Sequence, residues 1–223
     1  MTGFFDSGFG GLCILEAFMR ECPGEPFVYI ADNANCPYGN KSRAEIETIA
    51  GQIAEELIDR HQCRLIVVAC NTATAQAIDF LRNKYPQVPF VGLEPAIKPA
   101  AQATKTGVVG VLATRGTFGG RLYRETSRKF AAGVTVLQRM ADDWVELVER
   151  GIVDGPEAEA AVRTAVEPLL AAGADQLVLG CTHFPHLRPL IERVANGRAA
   201  IIDSCQAVAR QARRLLECQP PKI

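Results

Sequence analysis

No apolar run in this 223-residue chain approaches the roughly 18 residues of a membrane span. The Met1-Thr2-Gly3 start also has neither the basic region nor the apolar core of a signal peptide. A cytoplasmic protein is expected. Net charge is -1, with a sequence pI of about 6.3, so there is no polybasic surface for nucleic acid and none is expected as the main ligand. Eight cysteines are present, yet no two form a CxxC pair, and the chain is long for a disulfide-stapled scaffold. Reduced thiols follow, with Cys13, Cys63, Cys205 and Cys218 reading as small core residues. The glycine-rich DSGFGG at 6–11 lacks the Lys-Ser/Thr of a P-loop, and Cys13 stands where the third glycine of GxGxxG belongs. Its backbone N–H groups suit a carboxylate or small phosphate instead. A plain structural turn is the competing reading.

The chain is organised around LIVVACNTATA at 65–75. An apolar run of the kind buried on both faces of a parallel sheet leads straight into Cys70, Asn71 and Thr72. QLVLGCTHFP at 176–185 repeats the arrangement with Cys181, Thr182 and His183. Ligands of open α/β sheets bind at the carboxyl ends of strands, so these read as two halves of one site. Further strands are expected at 2–5, 27–31, 88–91, 107–112, 134–137 and 200–202. Helices are expected at 43–61, 74–85, 144–150, 157–172, 187–195 and from about 205 to 217. That alternation argues for an α/β protein of two similar domains with mainly parallel sheets flanked by helices and a cleft between them. Glu94-Pro95 marks the crossover: 1–92 plus 205–223 form the first expected domain and 93–204 the second. The turn-rich loop at 32–41 offers Tyr38 and Gly39 as a phenol and an N–H for a ligand, and ATRGTFGG at 113–120 takes the place in the second half that DSGFGG has in the first.

Several chemistries could use a cysteine at a strand's end. Cys181, His183 and His186 as metal ligands lack a second cysteine pair. A hydrolase with Cys181 as nucleophile and His183 as base leaves Cys70 without a task. Two structural cysteines would not need the hydroxyl and amide groups that follow each. Two thiols on opposite walls of a cleft suit proton traffic at one carbon, one removing a proton from one face while the other delivers to the opposite face. With an ordinary pKa of ~8.5, a thiol needs only modest help to ionise near neutrality. Asn71, Thr72, Ser7 and Thr182 are candidate donors to a substrate carboxylate, and Asp6 and His183 are groups able to tune one thiol each.

DSGFGG at 6–11, PYG at 37–39, ACNTATA at 69–75, LATRGT at 112–117 and GCTHFP at 180–185 occur in the order of, and resemble, the motif series of the glutamate racemases, within the wider aspartate/glutamate racemase superfamily. The resemblance implies two pseudo-symmetric α/β domains, no cofactor, and interconversion of L- and D-glutamate for peptidoglycan. It implies Cys70 and Cys181 as the acid/base pair with Asp6, His183 and Glu149 as helpers. Ser7, Tyr38, Gly39, Asn71, Thr72, Thr114, Thr117 and Thr182 would form the substrate shell. A solvated helix-end carboxylate is the alternative for Glu149. A racemase or decarboxylase acting on aspartate or another small acid stays open, as does a regulatory small-acid-binding protein. A homodimer stays open too, as does partner binding of the kind some members of the family have towards DNA gyrase.

Overall fold

Short β-branched runs alternating with amphipathic helices build two parallel sheets in the computed structural model, which describes residues 1–130 and 132–218. The last part of the expected first domain, 219–223, lies outside the described residues. The first half runs β1 (Thr2–Asp6), α1 (Leu12–Glu21), β2 (Phe27–Ala31), α2 (Arg43–Glu55), β3 (Leu65–Val68), α3 (Asn71–Lys84) and β4 (Phe90–Val91). The second runs α4 (Ile97–Ala103), β5 (Val108–Ala113), α5 (Arg115–Phe118), α6 (Arg121–Phe130), β6 (Thr135–Met140), α7 (Asp143–Glu149), α8 (Pro156–Ala171), β7 (Gln176–Gly180), α9 (Arg188–Ala195) and β8 (Ala200–Ile202). A closing helix, α10 (Cys205–Glu217), follows.

The two sheets share one strand order, β2-β1-β3-β4 and β6-β5-β7-β8, with every pairing parallel. The order reverses between β1 and β3 and between β5 and β7, and these are the switch points at which loops diverge to leave a crevice. Register brings the strand ends level, Phe5 beside Val68 and Ala113 beside Gly180. Cys70 and Cys181 therefore leave equivalent strands at equivalent heights. Both faces of each sheet are covered, which is why the inner strands β3, β5 and β7 run mainly apolar rather than alternating, whereas the edge strand β6 carries Gln138 and Arg139. In the first half α2 and α3 cover one face, while α1 and α10 cover the other through Ile14, Phe18, Val208 and Ala212. In the second, α7, α8 and α9 pack one face and α4 and α6 the other. Among the described residues no helix is long and apolar enough to cross a membrane.

Two expected boundaries move for local reasons. The helix expected at 43–61 is α-helical to Glu55 and then widens into a π turn over Glu56–Arg60, ending at Gln62 with φ of 53°. Helix α3 begins at Asn71 rather than near Thr74, because Cys70 caps it: its sulfur accepts the Ala73 N–H at 3.4 Å. Asn and Thr weaken helix interiors, but in the first turn their side chains remain free to act on a ligand.

Trp144, the chain's only tryptophan, is fully buried on α7 and meets Phe184 edge to face at 4.8 Å. It anchors the helix carrying Glu149 beneath the segment carrying His183. Trp144→Ala is expected to cost about 3–5 kcal/mol of stability, read as a lowered urea midpoint by circular dichroism. A loss below about 1 kcal/mol would contradict this packing role.

Candidate active site

The carboxyl ends of β1, β3, β5 and β7 converge on a cavity of about 420 Å³. Cys70, Asn71 and Thr72 enter it from the β3–α3 junction, and Cys181, Thr182 and His183 from the end of β7. Ser7, Tyr38, Gly39 and Thr114 complete most of the expected shell. The two thiols thus share one cavity. Asp6 lies behind that lining, fully buried, and Thr117 is buried behind Thr114, whose hydroxyl it meets at 3.1 Å. Thr114 also joins Thr72 at 3.0 Å, a hydroxyl bond that ties the two halves together across the cavity.

The thiols have different surroundings. Cys181 Sγ lies 3.6 Å from His183 Nδ1, and His183 Nε2 lies 2.6 Å from Glu149 Oε1. Burial opposes a charged imidazole at His183, but the contacts with Cys181 and Glu149 outweigh it and hold its pKa up at about 10. The same bond, against partial burial and with help from the Phe9 N–H, keeps the Glu149 carboxyl below its ordinary range. At neutral pH this sets Cys181, an imidazolium and a carboxylate in a row. Glu149 thus has specific partners, which the solvated-helix-end alternative does not provide.

Cys70 sits against acid instead. Burial pushes its thiol well above the ordinary value and the nearby Asp6 charge adds to that, opposed by the Ala73 N–H. Burial also raises Asp6, against the positive charge of His183 and the N–H groups of Gly11 and Ser7. Ser7 Oγ lies 3.9 Å from Cys70 Sγ. Cys70 therefore rests as a neutral thiol beside a carboxylate able to take a proton.

The glycine-rich turn presents N–H groups to carboxylates, as expected from sequence, but to carboxylates of the protein itself. Two of its N–H groups are taken: Gly11 donates to Asp6 at 2.7 Å and Phe9 to Glu149 at 2.9 Å. The glycines permit close approach instead. A β-carbon on Gly8 would stand 2.1 Å from Glu149 Oε1, and one on Gly10 2.6 Å from His183 Nδ1. Tyr38 also departs from expectation, since its hydroxyl donates to Asp32 at 2.6 Å and leaves its ring, not a phenol, to the site. The Asn71 side-chain Nδ2 is buried with no hydrogen-bond partner among the described residues. An unpaired buried amide in a cavity wall is a donor prepared for a ligand. Pro37, Asn40, Asp142 and Val145 also line the cavity and were missed from sequence. The signal was there for Asp142: β6 is the counterpart of β2, so the residues after β6 occupy the position of the 32–41 loop. Among the described residues no cluster of three or more His, Cys, Asp or Glu side chains suits a metal ion.

Residues 13–212 match the model of the Asp/Glu/hydantoin racemase family. The chain is 46% identical to a glutamate racemase of Roseiflexus sp., over 96% of this chain and 79% of that one. It is 47% identical to that of Herpetosiphon aurantiacus, over 96% and 84%. The crystal structure of Escherichia coli glutamate racemase with L-glutamate and the activator UDP-MurNAc-Ala superposes with a TM-score of 0.90 at 37% identity, covering 99% of this chain and 84% of that one. The chain belongs to the Asp/Glu/hydantoin racemase family, among its glutamate racemases.

Proposed function

We propose that the protein is a cytoplasmic amino-acid racemase that interconverts L- and D-glutamate by two-base proton transfer and supplies D-glutamate for peptidoglycan synthesis. The observation that carries this reading is the pair of cysteines at equivalent strand ends, opening into one cavity whose wall holds the unpaired Asn71 amide. Asn71, Thr72 and Thr182 receive the α-carboxylate, and Gly39 and Thr114 the side-chain carboxylate. The substrate ammonium stays protonated, favoured by Asp6.

From L-glutamate, Cys181 acts as the thiolate, its charge balanced by the His183 imidazolium that Glu149 holds, and takes the α-proton to become a neutral thiol. Cys70, kept neutral by burial, delivers its proton to the opposite face. In reverse Cys70 must first ionise, and the adjacent Asp6 carboxylate, raised by burial, holds its proton. Donors fixed in the cavity wall favour the developing carbanion without having to reorganise. No step calls on a cofactor. Active protein should therefore show no pyridoxal absorbance and keep its rate after dialysis against a chelator. Loss of activity restored by added metal would reject that part.

Neutral donors set at a fixed depth discriminate by length, because a side chain one methylene shorter leaves them unpaired. Polarimetry of purified protein with L-glutamate and then L-aspartate tests the substrate. The ratio of the two kcat/KM values should favour glutamate by about 10² or more. A ratio near or below one would make aspartate or another acid the substrate.

A further inference from the structure

Asp142 stands between the end of β6 and the start of α7, with its side chain half-buried. It lines the inner cavity and also an outer one of about 950 Å³. The two cavities share Pro37, Asn40, Asp142 and Val145, so these residues frame the doorway between them. Asp142 Oδ1 accepts the Arg115 N–H at 3.1 Å and lies 3.3 Å from the point where a β-carbon on Gly39 would stand. The Thr114 β-carbon is 3.6 Å from that same point. The carboxylate is therefore at the end of the pocket where Gly39 and Thr114 lie.

Its polar partner is a neutral N–H, and among the described residues no cation pairs with it. The outer cavity adds Asp143 and Glu146, while Glu149 is balanced by the His183 imidazolium, so the field at the doorway is acidic. We propose that Asp142 is a specificity-determining residue that weakens the binding of substrates carrying a side-chain carboxylate, through like-charge repulsion at the doorway. The proposal rests on the reading of Gly39 and Thr114 as receivers of that carboxylate. The side-chain carboxylate keeps its charge throughout the reaction, so the repulsion acts on ground state and transition state alike. It raises KM and leaves kcat little changed.

Asp142→Asn removes the charge and keeps an oxygen to accept the Arg115 N–H. In this variant KM for both glutamate enantiomers should fall by about three- to tenfold, the scale of one partly exposed like charge at short range. The change in kcat should stay below about twofold. Added salt should lower KM of the wild-type protein more than that of the variant, because only the former has the repulsion to screen. Asp142→Ala should lower KM as well. If Asp142 acts only by holding α5 through Arg115, Asn will leave KM unchanged and Ala will raise it; either result, or a salt response equal in wild type and Asn variant, overturns the proposal. Calorimetric titration with D-glutamate reports the same tightening as heat of binding, since interconversion of enantiomers releases none of its own, so failure to racemise glutamate and failure of this proposal are read separately.

Discussion

Replacing either cysteine with alanine should abolish racemisation to within about 10² to 10⁴ below the wild-type rate, the range over which a positioned acid or base contributes. Each thiol is the sole proton carrier on its face in the proposed mechanism, so the surviving one cannot complete an inversion. Enantiomers have equal free energy in water, and the equilibrium constant is one. Each variant must therefore lose the same factor of kcat/KM in both directions, whichever face its missing thiol served. Both sulfurs are buried, and exchange for alanine leaves a small void rather than a misfolded chain. Trp144 fluorescence is the check on folding. A variant that keeps more than about a tenth of the wild-type rate would remove that cysteine from the proton path.

The second large effect is expected at His183. Substitution by Asn removes the cation beside Cys181 and should lower the rate by about 10². Glu149→Gln, which leaves the imidazole but takes away its carboxylate partner, should cost about tenfold. The two also differ in pH dependence. His183 has a folded-state pKa of about 10, above its ordinary value, so its protonation favours the folded state. That stabilisation is full below about pH 6.5, the unfolded value, and is lost as pH rises through about 10. Activity that depends on the imidazolium should fall over the same alkaline range. In Glu149→Gln the alkaline limb should move to lower pH, because one of the two contacts raising His183 is gone. A limb that stays in place would show that Glu149 does not sustain the charge.

Much of this arrangement was legible in the chain itself, for physical reasons. Strands covered on both faces run mainly apolar, so the runs ending at Cys70 and Cys181 stand out without any periodicity analysis. Their repeated context, a cysteine with a threonine one or two residues further on, reflects the shared strand order of the two sheets. What could not be read was which donors the protein keeps for itself. The Phe9 and Gly11 N–H groups and the Tyr38 hydroxyl look available in sequence, yet each is consumed by a carboxylate brought near only by folding: Glu149, Asp6 and Asp32. The resemblance implied Glu149 as a helper, but its direct bond to His183, 34 residues away, could not be read from the chain. Asp142 reads as one acid among many until the pseudo-symmetry places it at the mouth of the cavity. Helix α4 was missed because Pro95 and Pro99 lie in and before it, and a proline so close to a helix start is tolerated where one deeper inside is not.

The central claim, one thiol for each face of one carbon, is tested most directly by solvent exchange without inversion. A surviving thiolate can remove an α-proton and return a deuteron to the same face. Each single variant is incubated in deuterated buffer with each enantiomer, loss of the Cα proton resonance is followed, and chiral chromatography verifies that configuration is retained. Cys70→Ala should exchange L-glutamate slowly and leave D-glutamate untouched, while Cys181→Ala should do the reverse. Equal exchange of both enantiomers by either variant would contradict the account.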